Sequence, residues 1–214
     1  MKEYLSKLRK DYGKNGLAEQ DVDSDPIKQF EKWLTDAANY GILEPNAFVL
    51  STCGADGRVS GRVVLLRNLD KNGLTFYTNY KSLKAQQIEN NDSGAATFFW
   101  ADIERQIRIE GKIRKISTME SMEYFKNRPK ESQIGAWASP QSEVIPNRKW
   151  LEDRVDHFRS EFKNSDVPKP PFWGGYCLDP IRFEFWQGRP SRLHDRILYS
   201  LQDNHSWKIE RLAP

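Results

Sequence analysis

The stretch AFVLSTCGADGRVSGRVVLLRNLDKNGLTFYTN, residues 47–79, decides the fold. Apolar and polar residues alternate along it with a period of two, which predicts strands. The three segments with this pattern are Ala47–Cys53, Val59–Asn68 and Leu74–Asn79. Between them lie Ala55-Asp56-Gly57 and Asp70-Lys71-Asn72-Gly73, which are typical of hairpin turns. The stretch therefore predicts three short strands in an antiparallel sheet.

The same alternation continues on the C-terminal side of this stretch. It predicts further strands at Ala95–Ala101, Arg105–Ile116, Tyr176–Leu178, Arg182–Gln187, Ile197–Leu201 and Trp207–Leu212. Helical spacing of apolar residues predicts helices from Pro26 to Gly41 and at Ser82–Glu89, Thr118–Asn127 and Asn147–Lys163, with a helical turn at Ser132–Ser139. The helices do not alternate with the strands, which argues against a doubly wound parallel sheet. The expected class is mainly β with peripheral helices (α+β), closed as a barrel.

Composition limits the organisation of the chain. With 214 residues and 38% hydrophobic content, it suffices for one core, so we expect a single domain at 25–214 after a polar N-terminal segment, 1–24. The net charge of +3 is too small to indicate nucleic acid. Two cysteines and three histidines show neither a disulfide framework nor metal-ligand spacing. Because no signal peptide or apolar membrane span is present, we expect a cytoplasmic protein without membrane partners.

Common phosphate-binding and nucleophile motifs are missing. The chain has no GxGxxG, Walker or GxSxG sequence, so any phosphate must be held by side chains of Arg, Lys, Ser and Tyr. In the run RVVLLR, Arg62 and Arg67 would point to opposite faces of an ideal strand. They could serve different anions, or one could be solvated.

Two further segments are candidates for an anion site. Tyr124 and Arg128 are neighbours on a helix face, and with Ser132 they could form a cup for a charged oxygen group; the alternative is a solvated arginine. The run FWQGRPSRLHDR, residues 185–196, gathers cations, an imidazole and an indole around a Gly/Pro turn. Such a loop is a natural ligand-binding edge, although composition alone supports only an anion-binding loop.

Longer motifs point to a known family. RVVLLR, FYTN, SLKAQQIENN, ERQIRIEG, YFKNRPKESQIGAWASPQS, FWGG and EFWQGRPSRLHDR follow one another in the order found in pyridoxine/pyridoxamine 5′-phosphate oxidases. The chain resembles this family over nearly its whole length. The resemblance implies a split β-barrel, and a homodimer with FMN at the subunit interface.

The resemblance also implies roles for individual residues. FMN contacts fall on Arg62, Val63, Val64, Leu65, Leu66, Arg67, Tyr77, Thr78, Lys84, Gln106, Gln141, Ser142, Trp186 and Arg196. Substrate contacts fall on Arg9, Tyr12, Arg67, Tyr124, Arg128, Ser132, Arg192, Leu193 and His194. Arg192 and His194 are the expected catalytic residues, and Arg9 and Tyr12 belong to a segment that folds over the substrate as a lid.

The implied reaction is the oxidation of pyridoxamine or pyridoxine 5′-phosphate to pyridoxal 5′-phosphate. The substrate would pass a hydride to the flavin and dioxygen would reoxidise it, giving hydrogen peroxide, with ammonia released from the amine. Two positions depart from the family pattern: Arg67 is commonly Lys, and Leu83 is commonly Arg. The alternatives are another split-barrel flavin-binding reductase, a non-catalytic flavin or haem binder and, against the modest charge, a nucleic-acid-binding barrel.

Overall fold

The computed structural model describes Tyr4, residues 11–13 and residues 15–214. The predicted lid residue Arg9 lies outside the described residues, whereas Tyr12 lies within them. None of the described helices is both long and apolar enough to span a membrane.

The sheet contains nine strands within the described residues. They are β1 (Ala47–Cys53), β2 (Val59–Leu65), β3 (Asn68–Asp70), β4 (Gly73–Asn79), β5 (Ser93–Trp100), β6 (Arg105–Lys115), β7 (Trp173–Gln187), β8 (Asp195–Leu201) and β9 (Trp207–Arg211). The order across the sheet is β2-β1-β5-β6-β7-β4-β3, and β8 joins β7 to β9. Every pairing is antiparallel, as the hairpin turns predicted.

Strand β7 links the two parts of the sheet. Its first half pairs with β4 and its second half with β8, while β6 pairs along most of its length. The sequence predicted two separate strands here, at Tyr176–Leu178 and Arg182–Gln187. That prediction is wrong, because the ladder continues through Pro180 with a register shift between Glu110 and Gly111 on β6.

Five α-helices of the described residues lie around the sheet. They are α1 (Pro26–Tyr40), α2 (Leu83–Asn90), α3 (Thr118–Lys126), α4 (Lys130–Ala138) and α5 (Arg148–Glu161). Asp25 caps α1 through Ile27 N, and Gly41 ends it in the left-handed region, as predicted. The turn expected at Ser132–Ser139 is the longer helix α4. The prediction of a mainly β fold with peripheral helices is confirmed.

Two hydrophobic clusters hold these elements together. The larger one fills the concave side of the sheet with aromatic rings such as Phe30, Phe98 and Phe185, none of them exposed. The smaller one joins α3, α4 and α5 to the start of β7 through Phe125, Ile134 and Trp173. This second cluster places α3 and α4 beside β4, where a cavity lies.

Residues 15–22 pack against the C-terminal strands. Leu17 is buried in the main core, and its N–H donates to the Asp195 carboxylate at 3.0 Å. Arg211 of β9 donates two hydrogen bonds to the Glu19 carboxylate, Nε–Oε1 at 2.8 Å and Nη2–Oε2 at 2.7 Å. The domain boundary proposed at residue 25 stays a prediction, although part of the N-terminal segment joins the main core.

Candidate active site

A cavity of about 870 Å³ lies between β2, β4 and the helices α2, α3 and α4. Four cationic side chains line it: Arg62, Arg67, Lys84 and Arg128. The other predicted ligand-binding residues on its wall are Val63, Val64, Leu65, Tyr77, Thr78, Tyr124, Ser132, Gln141 and Ser142. Among the described residues that line the cavity, none is Asp or Glu, so the four positive charges are not balanced by carboxylates there.

Arg62 and Arg67 both line this cavity, contrary to the expectation that they point to opposite faces. Strand β2 ends at Leu65, so the alternation does not reach Arg67. Instead, Leu66 N donates to Asn46 O at 2.9 Å and Arg67 N to Thr75 O at 2.9 Å, which turns the chain towards β4. Leu66, a predicted FMN contact, is buried in the main core and does not line the cavity.

Lys84 lies at the start of α2 among neutral oxygens. Its Nζ donates to Thr78 Oγ1 at 3.0 Å, Ser82 Oγ at 3.3 Å and Gln141 Oε1 at 3.3 Å. Burial, and secondly the charge of Arg62, lower the pKa of Lys84 to about 8. An anion in the cavity would reverse this destabilisation of the charged form.

Arg62 is held in a similar way. Its guanidinium donates to Leu50 O at 3.1 Å, Thr52 Oγ1 at 2.6 Å and Gln87 Oε1 at 3.3 Å. All three acceptors are neutral, and burial lowers the pKa of Arg62. The cation is therefore fixed in position without a counter-charge from these partners.

Arg128 follows α3 and lies against aromatic rings. Its guanidinium carbon is 4.6 Å from the centre of the Trp173 ring. Tyr77 and Tyr124 stack at 3.7 Å between ring centres, and Trp173 continues the stack. Arg128 Nη1 is buried without a hydrogen-bond partner among the described residues, and burial lowers its pKa. A ligand in the cavity would supply the acceptor that this buried guanidinium donor lacks within the described residues.

The remaining predicted residues lie on the convex face of the sheet, apart from this cavity. Phe99, Gln106, Trp186 and Arg196 are direct partners along one row across β5, β6, β7 and β8. Arg196 Nε donates to Glu184 Oε1 at 2.9 Å, and its Nη1 donates to Ala213 O at 2.7 Å. This row places the predicted flavin contacts Gln106, Trp186 and Arg196 side by side.

The loop between β7 and β8 carries the predicted catalytic residues. Ser191 and Arg192 both have positive φ, 57° and 61°, a strained conformation that is enriched at functional sites. Arg192 and Leu193 are exposed, whereas His194 turns back against Trp186 with 4.6 Å between ring centres. Tyr12 covers both rings, 5.7 Å from Trp186 and 5.6 Å from His194.

The structure thus divides the predicted site into two groups. One is the cation-lined cavity; the other, which we call the aromatic row, comprises Gln106, Trp186, Arg196, the loop 188–195 and Tyr12. None of the aromatic-row residues lines the cavity. Sequence reasoning assigned no role to Trp173 or Glu184, although the quoted motifs FWGG and EFWQGRPSRLHDR contain them.

The donor set of the cavity fits a phosphorylated cofactor and a phosphorylated substrate. Four cations, the hydroxyls of Thr78, Ser132 and Ser142, and the unpaired Nη1 of Arg128 offer more positive charge and more donors than one phosphate needs. Ser142 has a φ of 75°, in the left-handed region. The residues present are therefore compatible with a bound flavin mononucleotide.

Comparisons with known proteins agree with this geometry. Residues 34–162 match the family described as pyridoxamine 5′-phosphate oxidase, and residues 173–214 match the pyridoxine 5′-phosphate oxidase C-terminal dimerisation region. A pyridoxine/pyridoxamine 5′-phosphate oxidase from Aliarcobacter butzleri is 53% identical over 98% of this chain and 99% of its own length. One from Nostoc punctiforme is 49% identical over the full length of both.

Solved structures show the same fold. PhzG from Burkholderia lata 383, determined with tetrahydrophenazine-1-carboxylic acid, has a TM-score of 0.87 at 29% identity and covers 94% of this chain and 98% of its own. A pyridoxamine 5′-phosphate oxidase-related, FMN-binding protein from Nostoc punctiforme has a TM-score of 0.72 at 18% identity, over 90% of this chain and all of its own, a likeness of fold alone. The split-barrel prediction is confirmed. This chain belongs to the pyridoxamine 5′-phosphate oxidase family.

Proposed function

We propose that this protein is an FMN-dependent oxidase that converts pyridoxamine or pyridoxine 5′-phosphate to pyridoxal 5′-phosphate with dioxygen as acceptor. The observation that carries the proposal is the cavity with four cations and no carboxylate among its described lining residues. A cofactor phosphate and a substrate phosphate would together neutralise those charges. Family membership supplies the reaction class.

The cofactor end of the cavity is formed by Lys84 and Arg62. Both cations are already fixed by neutral oxygens, so an arriving phosphate would gain charge-assisted hydrogen bonds without ordering long side chains. Gln141 and Ser142 lie on the same wall. Bound FMN would supply the redox chemistry, taking two electrons from the substrate and passing them to dioxygen.

The substrate end is formed by Arg67, Tyr124, Arg128 and Ser132. Arg128 has a buried donor that needs an acceptor, and the Tyr77–Tyr124–Trp173 stack limits where its guanidinium can move. These residues would bind the phosphate and so orient the rest of the substrate. Positioning of this kind accounts for much of the rate increase when a cofactor performs the chemistry.

We propose that two chains form each site, with the aromatic row of one chain closing the cavity of its partner. The convex face of the sheet carries apolar side chains that a lone chain leaves in water: Val63 is 68% exposed and Phe99 is 56% exposed. The match to a dimerisation region, residues 173–214, includes Trp186 and His194. Val63 lies on β2 at the cavity wall, so the exposed apolar face begins where the cavity ends.

The reaction is tested with the purified protein. Its absorbance spectrum should show an oxidised flavin, and anaerobic pyridoxamine 5′-phosphate should bleach it. Air should then restore the colour with one equivalent of hydrogen peroxide. A flavin that is present but is not bleached by either phosphate would rule out the oxidase and leave a reductase or a flavin-binding protein.

The two-chain site is tested by mixing two impaired variants and assaying the mixture at a low substrate concentration. Arg128→Met damages the cavity and His194→Phe damages the aromatic row. If the site forms between chains, each hybrid dimer of the two variants holds one intact site and one doubly damaged site, and activity returns on co-refolding. If each chain forms its own site, the mixture stays as impaired as the separate variants.

A further inference from the structure

The His194 ring is fixed by a backbone hydrogen bond within its own loop. Arg189 N donates to His194 Nδ1 at 3.1 Å. The chain returns on itself because Ser191 and Arg192 both adopt positive φ, and Leu193 N then donates to Pro190 O at 3.1 Å. The strained turn therefore brings Nδ1 to the Arg189 N–H.

This contact determines where the imidazole proton lies. A backbone N–H is always a donor, so Nδ1 must offer its lone pair and cannot itself carry a proton. In the neutral ring the proton is then on Nε2. The doubly protonated ring would direct Nδ1–H at the Arg189 N–H, which the loop geometry disfavours.

The surroundings of the ring also favour the neutral imidazole. Trp186 and Tyr12 pack on it, Arg192 adds a positive charge from the loop, and burial followed by Arg192 lowers the pKa of His194. Arg189 is the other cation of the loop, and Asp195 is engaged by Arg189 Nε at 3.4 Å and Arg211 Nη1 at 2.8 Å. The carboxylate nearest in sequence to His194 is thus already paired.

We propose that His194 acts on the substrate as a neutral hydrogen-bond donor through Nε2–H, and that it takes no proton from the substrate. The proposal rests on the proposed function for the identity of the substrate. Its structural basis, the Arg189 N–H to Nδ1 contact, stands without it. In this role the Nε2–H would bind an electron-rich oxygen or nitrogen of the ligand and keep it in place.

Nitrogen NMR tests the tautomer directly. The chain has three histidines, so ¹⁵N-labelled protein gives few imidazole signals, and loss of one set in His194→Asn assigns the residue. At pH 7, Nδ1 of His194 should show an unprotonated shift and Nε2 a protonated one, and the pattern should persist at pH 6.5. Protonation of Nδ1 in this range would overturn the proposal. The measurement needs no turnover, so it remains informative if the oxidase assignment fails.

Paired amide substitutions test the role in catalysis. His194→Gln can place an N–H donor near the position of Nε2, whereas His194→Asn retains polar atoms only near Nδ1. If donation matters, kcat of the Gln variant should exceed that of the Asn variant by about tenfold, the worth of one charged or well-placed hydrogen bond. If His194 were a base, kcat would fall by the same factor in both amide variants. One ionisation would also disappear from the pH profile of kcat. Flavin content and melting temperature of both variants provide the folding control.

Discussion

Glu184 and Arg196 form an ion pair on the convex face of the sheet, with Arg196 Nε donating to Glu184 Oε1 at 2.9 Å. Glu184 is only 5% exposed and also accepts from Arg108 Nη1 at 3.2 Å. Hydrogen bonding to this carboxylate raises the pKa of Arg196. The pair therefore fixes the direction of a guanidinium that we expect to contact the flavin.

The first prediction concerns this pair. Glu184→Gln keeps the size of the side chain but removes the charge that holds Arg196, so FMN affinity of the apoprotein should fall by roughly tenfold. Titration of the apoprotein by quenching of flavin fluorescence measures it. Glu110→Gln is the matched control, because Glu110 also binds Arg108, Nη2–Oε1 at 3.0 Å, and has no hydrogen bond to Arg196. Equal affinities in the wild type and Glu184→Gln would contradict the role.

The second prediction follows from the lowered pKa of Lys84, about 8. A phosphate favours the protonated amine, so FMN should bind best below pH 8, where Lys84 is charged. Above pH 8 binding must take up a proton, and affinity should fall by up to about tenfold per pH unit. Lys84→Arg should have a flat profile between pH 7 and 9, because guanidinium stays charged there. The same slope in both proteins would show that Lys84 is not the titrating group.

The third prediction separates binding from stability at Arg128. Arg128→Met removes a buried cation with an unpaired donor, so the apoprotein should unfold at the same temperature or higher. The substrate, in contrast, loses charge-assisted hydrogen bonds, and KM for pyridoxamine 5′-phosphate should rise by roughly tenfold to a hundredfold. Steady-state kinetics and thermal unfolding check the two effects. A lower unfolding temperature with unchanged KM would show a structural role instead.

The fourth prediction concerns the close approach of Tyr12 to the loop. A Cβ at Gly188 would lie 2.8 Å from Tyr12 Cγ and 3.0 Å from Glu104 Cβ. Gly188→Ala should therefore displace Tyr12 from His194 and Trp186, and KM should rise while flavin content stays normal. In a Tyr12→Ala background the same substitution should add little, since the displaced ring is already absent. Full additivity of the two substitutions would indicate that Gly188 acts through Glu104 or the loop itself.

Periodicity predicted the strands well because each face of this sheet has a distinct environment. It was wrong for Arg62 and Arg67, since alternation predicts faces only while a strand continues, and β2 ends at Leu65. At Pro180 the error was the opposite one, since the strand continues where the sequence predicted that it ends. Two strands were predicted on either side of Pro180, but the ladder to β6 continues because β7 takes up one extra residue, Ile181, between Pro180 and Arg182.

The sequence identified the residues of the site, but it did not predict where in the fold they lie relative to one another. The motifs named both Arg128 and His194, yet no spacing rule shows that one lines the cavity and the other lies on the convex face. Glu184 was overlooked because an acidic residue in a strand is usually solvated. Its burial depends on Arg108 and Arg196, which are neighbours only after β6, β7 and β8 have paired.

The packing of Tyr12 and of residues 15–19 on the C-terminal strands has a consequence for how the protein is made. Leu17 and Asp195 are 178 positions apart, and Gly13 N reaches Glu104 Oε2 across 91 positions. A ribosome delivers the early residues first, so Tyr12 and Leu17 reach their places only after the strands that receive them have been synthesised. The cation-lined cavity uses residues 60 to 173 and can assemble sooner. During biosynthesis, the cavity can therefore form before Tyr12 packs on Trp186 and His194.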